Sequence, residues 1–322
     1  MSILLTESKW FSSAARDTLG AMGAVRALDI ATREELLTEA RDADVLWVRL
    51  RHYIGADVMD AAPELRAIAT PTTGLTHIDL EEASRRGIAV ISLRGETDFL
   101  KEIRATAEHT IALMLALMRR LPAAVAHAHG GGWDRDRFRG NELHGKTAGI
   151  VGYGRLGRIV AGYLQAFGCR VLAAERKDWE GRVDPPVELV PIEELLAHSD
   201  LVSLHVSLDS ATEGFFNQYL FGLMKPGAWF INTARGELID EAALVACLRE
   251  GRLSGAAVDV IAGEHESGPH PLIEYARAGE GSPLIVTPHI GGCTVESMVK
   301  TEEFLAGRVL AWHGRGTEEG DR

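Results

Sequence analysis

Between Thr147 and Glu175 the chain runs through an order of pieces that few folds accommodate. An apolar strand leads into Gly152-Tyr-Gly154-Arg-Leu-Gly157, then an amphipathic stretch, then a second apolar run that ends on an acid eighteen residues past Gly157. Each position answers a physical demand. Gly152 permits a tight turn out of the strand, Gly154 lets the backbone approach a pyrophosphate, and Gly157 lets helix and strand pack closely. The helix N-terminus attracts phosphate charge, and the acid, Glu175, accepts hydrogen bonds from a ribose. The spacing therefore predicts a parallel βαβ unit built to hold a dinucleotide. A glycine-rich turn without a ligand is the alternative, and the placement of strand, helix and acid weighs against it.

A second glycine pattern competes. Gly140-Asn-Glu-Leu-His-Gly145-Lys146-Thr147 matches GxxxxGK[ST] letter for letter. A phosphate-cradling loop of that kind must follow a strand and open a helix. Here a polar loop precedes it and the strand Ala148–Val151 follows at once. The segment reads as a turn entering that strand, with Lys146 solvated, and a P-loop nucleotide hydrolase stays as the rival reading.

Beyond the fingerprint, Arg170–Ala173, Leu201–Leu204, Trp229–Asn232, Gly255–Val260 and Leu284–Thr287 read as further strands. Helical pieces at Leu156–Phe167, Ile192–Leu196, Gln218–Leu223 and Glu241–Glu250 alternate with them, as a doubly wound sheet requires. The first hundred residues alternate in the same way. Ile3–Thr6, Val45–Val48, Ala67–Ala69 and Ile88–Ile91 are strand-like, and Thr32–Arg41, Ala56–Ala61 and Leu80–Arg86 are helix-like. One long helix is expected from Asp98 to Arg120, because Ile103, Ala107, Ile111, Leu115 and Met118 recur at steps of three and four. A final helix is expected from Val295 to His313. At 322 residues the chain suits two domains.

Composition excludes several classes. With 34 basic and 46 acidic side chains the net charge is −12, so a nucleic-acid partner is not expected. The longest apolar run, Ile111–Met118, is far short of the roughly 20 residues that a bilayer span needs, so no membrane partner is expected either. Three cysteines without a CxxC pair, and an N-terminus without a signal-peptide pattern, suggest the reducing cytoplasm.

Three segments fall at strand ends in the second half: Asn232-Thr-Ala-Arg235-Gly, Asp259 with Glu264 five residues on, and Thr287-Pro-His289-Ile-Gly-Gly. Ligands of open α/β sheets bind beyond the carboxyl ends of the strands, so an Arg, an acid and a His converge on one edge. Together with Glu142-Leu-His-Gly-Lys-Thr, the glycine fingerprint and Ser203-Leu-His205-Val-Ser-Leu, they make the chain resemble, over nearly its whole length, the D-isomer-specific 2-hydroxyacid dehydrogenases. Phosphoglycerate, glycerate and D-lactate dehydrogenases belong to that family.

The resemblance implies an α/β fold of two Rossmann-like domains with parallel sheets and a cleft between them. The substrate domain, flavodoxin-like, would be residues 1–98 plus 295–322. The doubly wound NAD-binding domain would be 99–294 and would pair as a homodimer through the arm around Trp133. It implies hydride transfer between a nicotinamide cofactor and a small-molecule D-2-hydroxy or 2-oxo acid. His289 would be the acid–base, Glu264 would fix its tautomer and stabilise its charged form, and Arg235 would bind the substrate carboxylate. Arg155 and Leu156 would lie at the pyrophosphate, and Asp259 would orient the carboxamide. His205, Val206, Ser207, Thr212, Thr233, Ala234 and Gly291 would line the cofactor site, and Thr73–Gly74 would offer amides to the substrate.

Some positions depart from the family pattern. Glu175 favours NAD, whereas Arg176 and Lys177 leave NADP open. Arg51, with Arg49, would ask for a second anionic group on the substrate, such as a phosphate or a second carboxylate, unless Arg51 is solvated and Arg49 pairs with a carboxylate of its own domain. The segment Arg94–Lys101 lacks the usual family motif. His265, Glu266 and His270 read as a polar loop, and no metal is expected. A non-catalytic NAD(H)-sensing scaffold of the same fold stands as the alternative to an enzyme.

Overall fold

The computed structural model describes residues 1–320 apart from 177, 178, 180, 182, 185, 186, 266, 267, 279 and 280, with the backbone alone for 315–320. Contacts divide the chain into two compact units, Met1–Ile103 with Thr294–Arg322, and Arg104–Cys293.

The first unit alternates strand and helix from its start: β1 (Ser2–Leu5), α1 (Ser13–Gly20), β2 (Ala24–Ala27), α2 (Arg33–Glu39), β3 (Val45–Trp47), α3 (Ala56–Ala61), β4 (Ala67–Ala69), α4 (Leu80–Arg85), β5 (Ala89–Ile91) and the short α5 (Thr97–Leu100). All pairings are parallel, in the order β2-β1-β3-β4-β5. Successive side chains of a strand point to opposite faces. Leu4, Leu46 and Ile68 therefore pack on one side, with Val58 and Ala83, and Ile3, Leu5, Val45 and Trp47 on the other. The last helix of the chain, Val295–Gly320, brings Leu305, Ala306 and Val309 onto that second face. Because both faces are covered, the strands read as continuous apolar runs instead of alternating ones.

The second unit opens with α6 (Ala105–Met118) and α7 (Leu121–His129). The expected long helix is broken once, where its N-terminal end separates as α5. It ends at Arg120 as expected, but Arg120, with φ +55° in the left-handed region, turns the chain through Pro122 into a further helix, α7, in place of a loop. A proline at the second helical position tolerates a helix start but not a helix interior. The sheet follows: β6 (Thr147–Val151), α8 (Arg155–Ala166), β7 (Arg170–Ala174), β8 (Glu188–Leu189), α9 (Ile192–His198), β9 (Leu201–Leu204), α10 (Gln218–Leu223), β10 (Trp229–Asn232), α11 (Glu241–Arg249), β11 (Gly255–Val258), α12 (Pro271–Arg277) and β12 (Leu284–Val286). The C-terminal helix of the first unit is α13.

The seven strands lie β12-β11-β10-β9-β6-β7-β8, all parallel. The chain enters at β6, winds outward through β7 and β8, and returns to the other side of β6 at β9. The switch point between β6 and β9 is where such sheets open beyond their carboxyl ends. The two-residue edge strand β8 is a seventh strand where the sequence suggested six, and β2, α1 and α12 also escaped the sequence reading. Among the described residues, no single helix is long and apolar enough to cross a membrane.

Candidate active site

The glycine turn has the backbone geometry expected of a tight turn at Gly152 and of close helix–strand packing at Gly157. Gly152 has φ +94°, and a Cβ there would lie 2.7 Å from the His205 carbonyl carbon, across the switch point. Gly157 sits in the first turn of α8, where a Cβ would come within 2.1 Å of the Gly152 carbonyl oxygen and 3.1 Å of the Ile150 side chain. At Gly154 a Cβ would meet nothing within 4 Å, so this face of the turn is open. Arg155 and Leu156 begin α8 at the same place, and burial pulls the Arg155 guanidinium below its ordinary value.

Glu175, just past β7, accepts the Tyr153 amide at 2.6 Å on one oxygen and the Arg176 amide at 3.1 Å on the other. Its carboxylate is thereby fixed against the middle of the glycine turn, with lone pairs to spare for a ribose. Lys177 lies outside the described residues. The residues present fit a dinucleotide: an open cradle at Gly154, a helix N-terminus and an anchored acid.

His205 follows β9 and contacts Ser203 Oγ at 2.9 Å. Burial pushes its imidazole down to about 4, so at neutral pH it brings no positive charge to the switch point. Next to it, Ser207 O accepts from Thr212 Oγ1 at 2.8 Å, and Asp209 Oδ1 accepts the amides of Ala211 and Thr212. Val206, Ser207 and Thr212 therefore belong to one self-bonded loop at the switch point.

Beyond β10, Asn232 is fully buried and ties its own turn, accepting the Ala234 amide at 2.9 Å and donating to Arg235 O at 2.8 Å. Arg235 Nη1 donates to Ala234 O at 2.6 Å. Thr233 is buried, with its hydroxyl 2.8 Å from Thr110 of α6. Since Thr110 donates to Thr106 O, Thr233 is the donor of that pair and its hydroxyl is spent on α6. Gly236 lets the Arg235 turn touch the next loop, where a Cβ would be 1.9 Å from the Ile261 carbonyl carbon.

That next loop, 261–264, is pinned by two residues the sequence reading passed over for any role here. Glu241, at the start of α11, accepts the Ala262 amide at 2.8 Å. His270 lies 3.1 Å from Glu241 and 3.2 Å from Ala262 O. Burial pushes the Glu241 carboxyl up, against the lowering from the Ala262 amide and His270. The loop delivers Glu264, whose Oε2 lies 2.6 Å from His289 Nδ1. Glu266 lies outside the described residues, and among those described no group of three His, Cys, Asp or Glu could hold a metal ion.

His289 itself has φ +53°, an unusual conformation for a residue with a side chain. Asp259, 1% exposed at the end of β11, receives Thr287 Oγ1 at 2.6 Å, the Ile290 amide at 2.9 Å and the Gly291 amide at 2.7 Å. Burial raises its carboxyl, but these donors, with His109, outweigh that and hold it below the ordinary carboxylate range. Gly291 has no room for a side chain, since a Cβ would lie 2.9 Å from Asp259 Oδ2, and its amide is committed to that carboxylate.

The remaining candidates lie in the other unit. Thr73 and Gly74 follow β4 in a loop where Thr72 Oγ1 donates to Gly74 O at 2.8 Å. Arg51 donates to Asp29 at 2.8 Å and to Ile30 O at 2.7 Å, and Arg49 is ion-paired with the fully buried Glu302. The case for a second anionic substrate group rested on two unmatched cations, and here each already has its carboxylate. Lys146 is also less free than expected. It stands over the Trp229 ring, 5.4 Å from the centroid, in a turn that enters β6, so the GxxxxGK[ST] match opens no helix.

A family model described as the NAD-binding domain of D-isomer specific 2-hydroxyacid dehydrogenases matches residues 111–291. A glyoxylate reductase from Thermofilum pendens is 39% identical over 287 residues, 87% of this chain and 81% of that protein. A D-3-phosphoglycerate dehydrogenase from Mycobacterium tuberculosis is 36% identical over 88% of this chain, which spans only 52% of that longer protein. Among solved structures, a D-lactate dehydrogenase from Aquifex aeolicus complexed with NAD and lactic acid superposes with a TM-score of 0.82. It is 26% identical, with coverage of 99% of this chain and 97% of that one.

Proposed function

Since the chain belongs to the D-isomer-specific 2-hydroxyacid dehydrogenase family, an oxidoreductase family with an NAD-binding domain, we propose that it interconverts a 2-oxo acid and a D-2-hydroxy acid with His289 as the proton donor. The observation that carries this reading is the 2.6 Å contact between His289 Nδ1 and Glu264. With Nδ1 engaged by a carboxylate, the imidazole is oriented and Nε2 is left to exchange a proton with the substrate oxygen. Bound nicotinamide supplies or accepts the hydride at the substrate carbon. Arg235 holds the substrate carboxylate with a permanently charged fork of donors and draws electron density from the carbonyl. The turn 152–157 receives the pyrophosphate, with Arg155 and Leu156 beside it. Glu175 accepts from the ribose and repels a 2′-phosphate, which supports NAD over NADP. Among the described residues Asp259 Oδ2 accepts only the Gly291 amide, so it retains capacity for a carboxamide N–H.

In this reading the unit Arg104–Cys293 is the cofactor domain, and the unit containing Thr73 and Gly74 carries substrate contacts. The chain acts as a homodimer in the cytoplasm. What supports the dimer is α7, which buries none of its residues although it is mostly apolar. What supports the compartment is the state of its three cysteines, all unpaired.

The test is a panel of short, phosphorylated and dicarboxylic 2-oxo acids assayed with NADH and NADPH. NADH should be consumed with at least one of them, and His289→Ala should lower turnover about 10²–10⁴-fold while NADH affinity stays within a few-fold. A variant with parental turnover would remove His289 from the chemistry. If NADH binds but no 2-oxo acid consumes it, the NAD(H)-sensing scaffold becomes the better reading.

A further inference from the structure

Three consecutive amides converge on one residue. His289 N donates to Asp259 O at 2.8 Å, Ile290 N to Asp259 Oδ1 at 2.9 Å and Gly291 N to Asp259 Oδ2 at 2.7 Å. They hold a loop whose central residue, His289, is in the left-handed region at φ +53°. Such a conformation is costly for a residue other than glycine and persists only where its surroundings over-determine it. Asp259 must therefore be immobile, and what immobilises it includes a side chain from a distant helix.

That side chain is His109 of α6. Its Nε2 lies 3.2 Å from Asp259 Oδ1 and 3.1 Å from Thr287 Oγ1, and its side chain is 17% exposed. The hydrogens can be assigned. Thr287 Oγ1 has one hydrogen, and over 2.6 Å it goes to Asp259 Oδ1. Both oxygens that face Nε2 are then acceptors, so Nε2 carries the hydrogen and shares it between them. His109 closes a three-membered ring of side chains that joins the ends of β11 and β12 to α6. The following residue, Thr110, does the same for the end of β10 through Thr233. The surrounding positions of α6, among them Ala107, Ile111 and Met114, are buried apolar core, so an imidazole here is not explained by packing.

We propose that His109 is a positioning residue for His289, holding the 287–291 loop through Asp259 and Thr287 so that the His289–Glu264 pair stays aimed. The proposal rests on His289 as the proton donor. It goes beyond that reading in assigning part of the alignment to a helix that carries none of the residues read as meeting the substrate. Without His109, Asp259 Oδ1 loses one of three donors and Thr287 loses its partner on the helix side. The loop then samples conformations in which His289 leaves the left-handed region, and fewer encounters are productive. The pyrophosphate, ribose and substrate carboxylate are held by other groups, and Asp259 Oδ2, the oxygen read as meeting the carboxamide, keeps its Gly291 amide, so binding is largely spared.

The experiment compares His109→Phe, which keeps a ring and removes the donor, with His109→Gln, which restores an N–H at similar reach. In the Phe variant kcat should fall roughly tenfold, a fraction of what a general acid contributes, while both KM values stay within about twofold. The Gln variant should recover most of the loss. Amide hydrogen exchange should accelerate at Ile290 and Gly291 and stay unchanged at Ile231 and Ala257 in the sheet. A Phe variant with parental kcat and parental exchange overturns the proposal. So does a loss that Gln fails to restore, accompanied by faster exchange throughout the sheet, because that pattern is a packing defect. If the parent turns over no 2-oxo acid, the functional reading fails on its own, and the exchange comparison still decides whether His109 holds the loop.

Discussion

Gly154 and Gly157 stand three residues apart in one turn, yet an added methyl group would meet opposite surroundings. At Gly157 it would press on the Gly152 carbonyl oxygen at 2.1 Å, which neither the strand nor the helix can relieve without moving backbone. At Gly154 it would meet no protein atom within 4 Å, and the backbone there, φ −77° and ψ −158°, is open to alanine. Gly157→Ala should therefore destabilise the fold by roughly 1–3 kcal/mol, as overpacking does. Gly154→Ala should leave the denaturation midpoint almost unchanged and weaken NADH binding by roughly tenfold or more, about 1.4 kcal/mol. Urea titrations paired with fluorescence titration by NADH separate the two. Equal stability loss in both variants would mean that Gly154 also answers a demand of the fold.

At the scale of the element, α7 is the anomaly. Its sequence, Leu-Pro-Ala-Ala-Val-Ala-His-Ala-His, is largely apolar, yet Leu121 is 45% and Val125 49% exposed, and Trp133 beyond it is 95% exposed. In the proposed homodimer, such an apolar and unburied helix is the surface a second copy would cover. Sedimentation equilibrium should find a species at twice the 34.9 kDa chain mass, and Leu121→Glu with Val125→Glu should convert it to monomer without unfolding the sheet. A parent that stays monomeric at high concentration would leave α7 without that role.

At the scale of the whole molecule, the first unit is made from two segments far apart in sequence, and a buried ion pair joins them. Glu302 of α13 is 0% exposed, pairs with Arg49 beyond β3, and accepts the Ser12 amide ahead of α1 at 2.8 Å. Removing one member of such a pair strands a charge and typically costs about 3–5 kcal/mol. Glu302→Ala should destabilise the unit Met1–Ile103 with α13, read as accelerated hydrogen exchange in β1 and β3. Exchange in the sheet β6–β12, and NADH affinity, should stay near parental values. Uniform loss across both sheets would show that the two units unfold together.

Local chemistry made much of this legible in advance. The glycine turn, the acid at the end of β7 and the strands buried on both faces all follow from spacings within about thirty residues, where backbone geometry alone sets what neighbours what. Arg235, Glu264 and His289 could be singled out because each falls just past an apolar strand, and parallel strands bring their carboxyl ends to one edge. What stayed hidden depended on partners distant in sequence. Thr233 and Gly291 carry the expected residue types, but only the packed structure turns the hydroxyl of one to α6 and the amide of the other to Asp259. The carboxylates that meet Arg49 and Arg51, from α13 and from the stretch after β2, could not be paired with them by spacing. His109 looked like one more residue of an apolar helix, since its meaning lies in a carboxylate 150 residues away. Periodicity and turn chemistry are local and survive in the sequence, whereas the pairing of buried polar groups is settled only when tertiary packing removes water and leaves each donor with the acceptors that happen to face it.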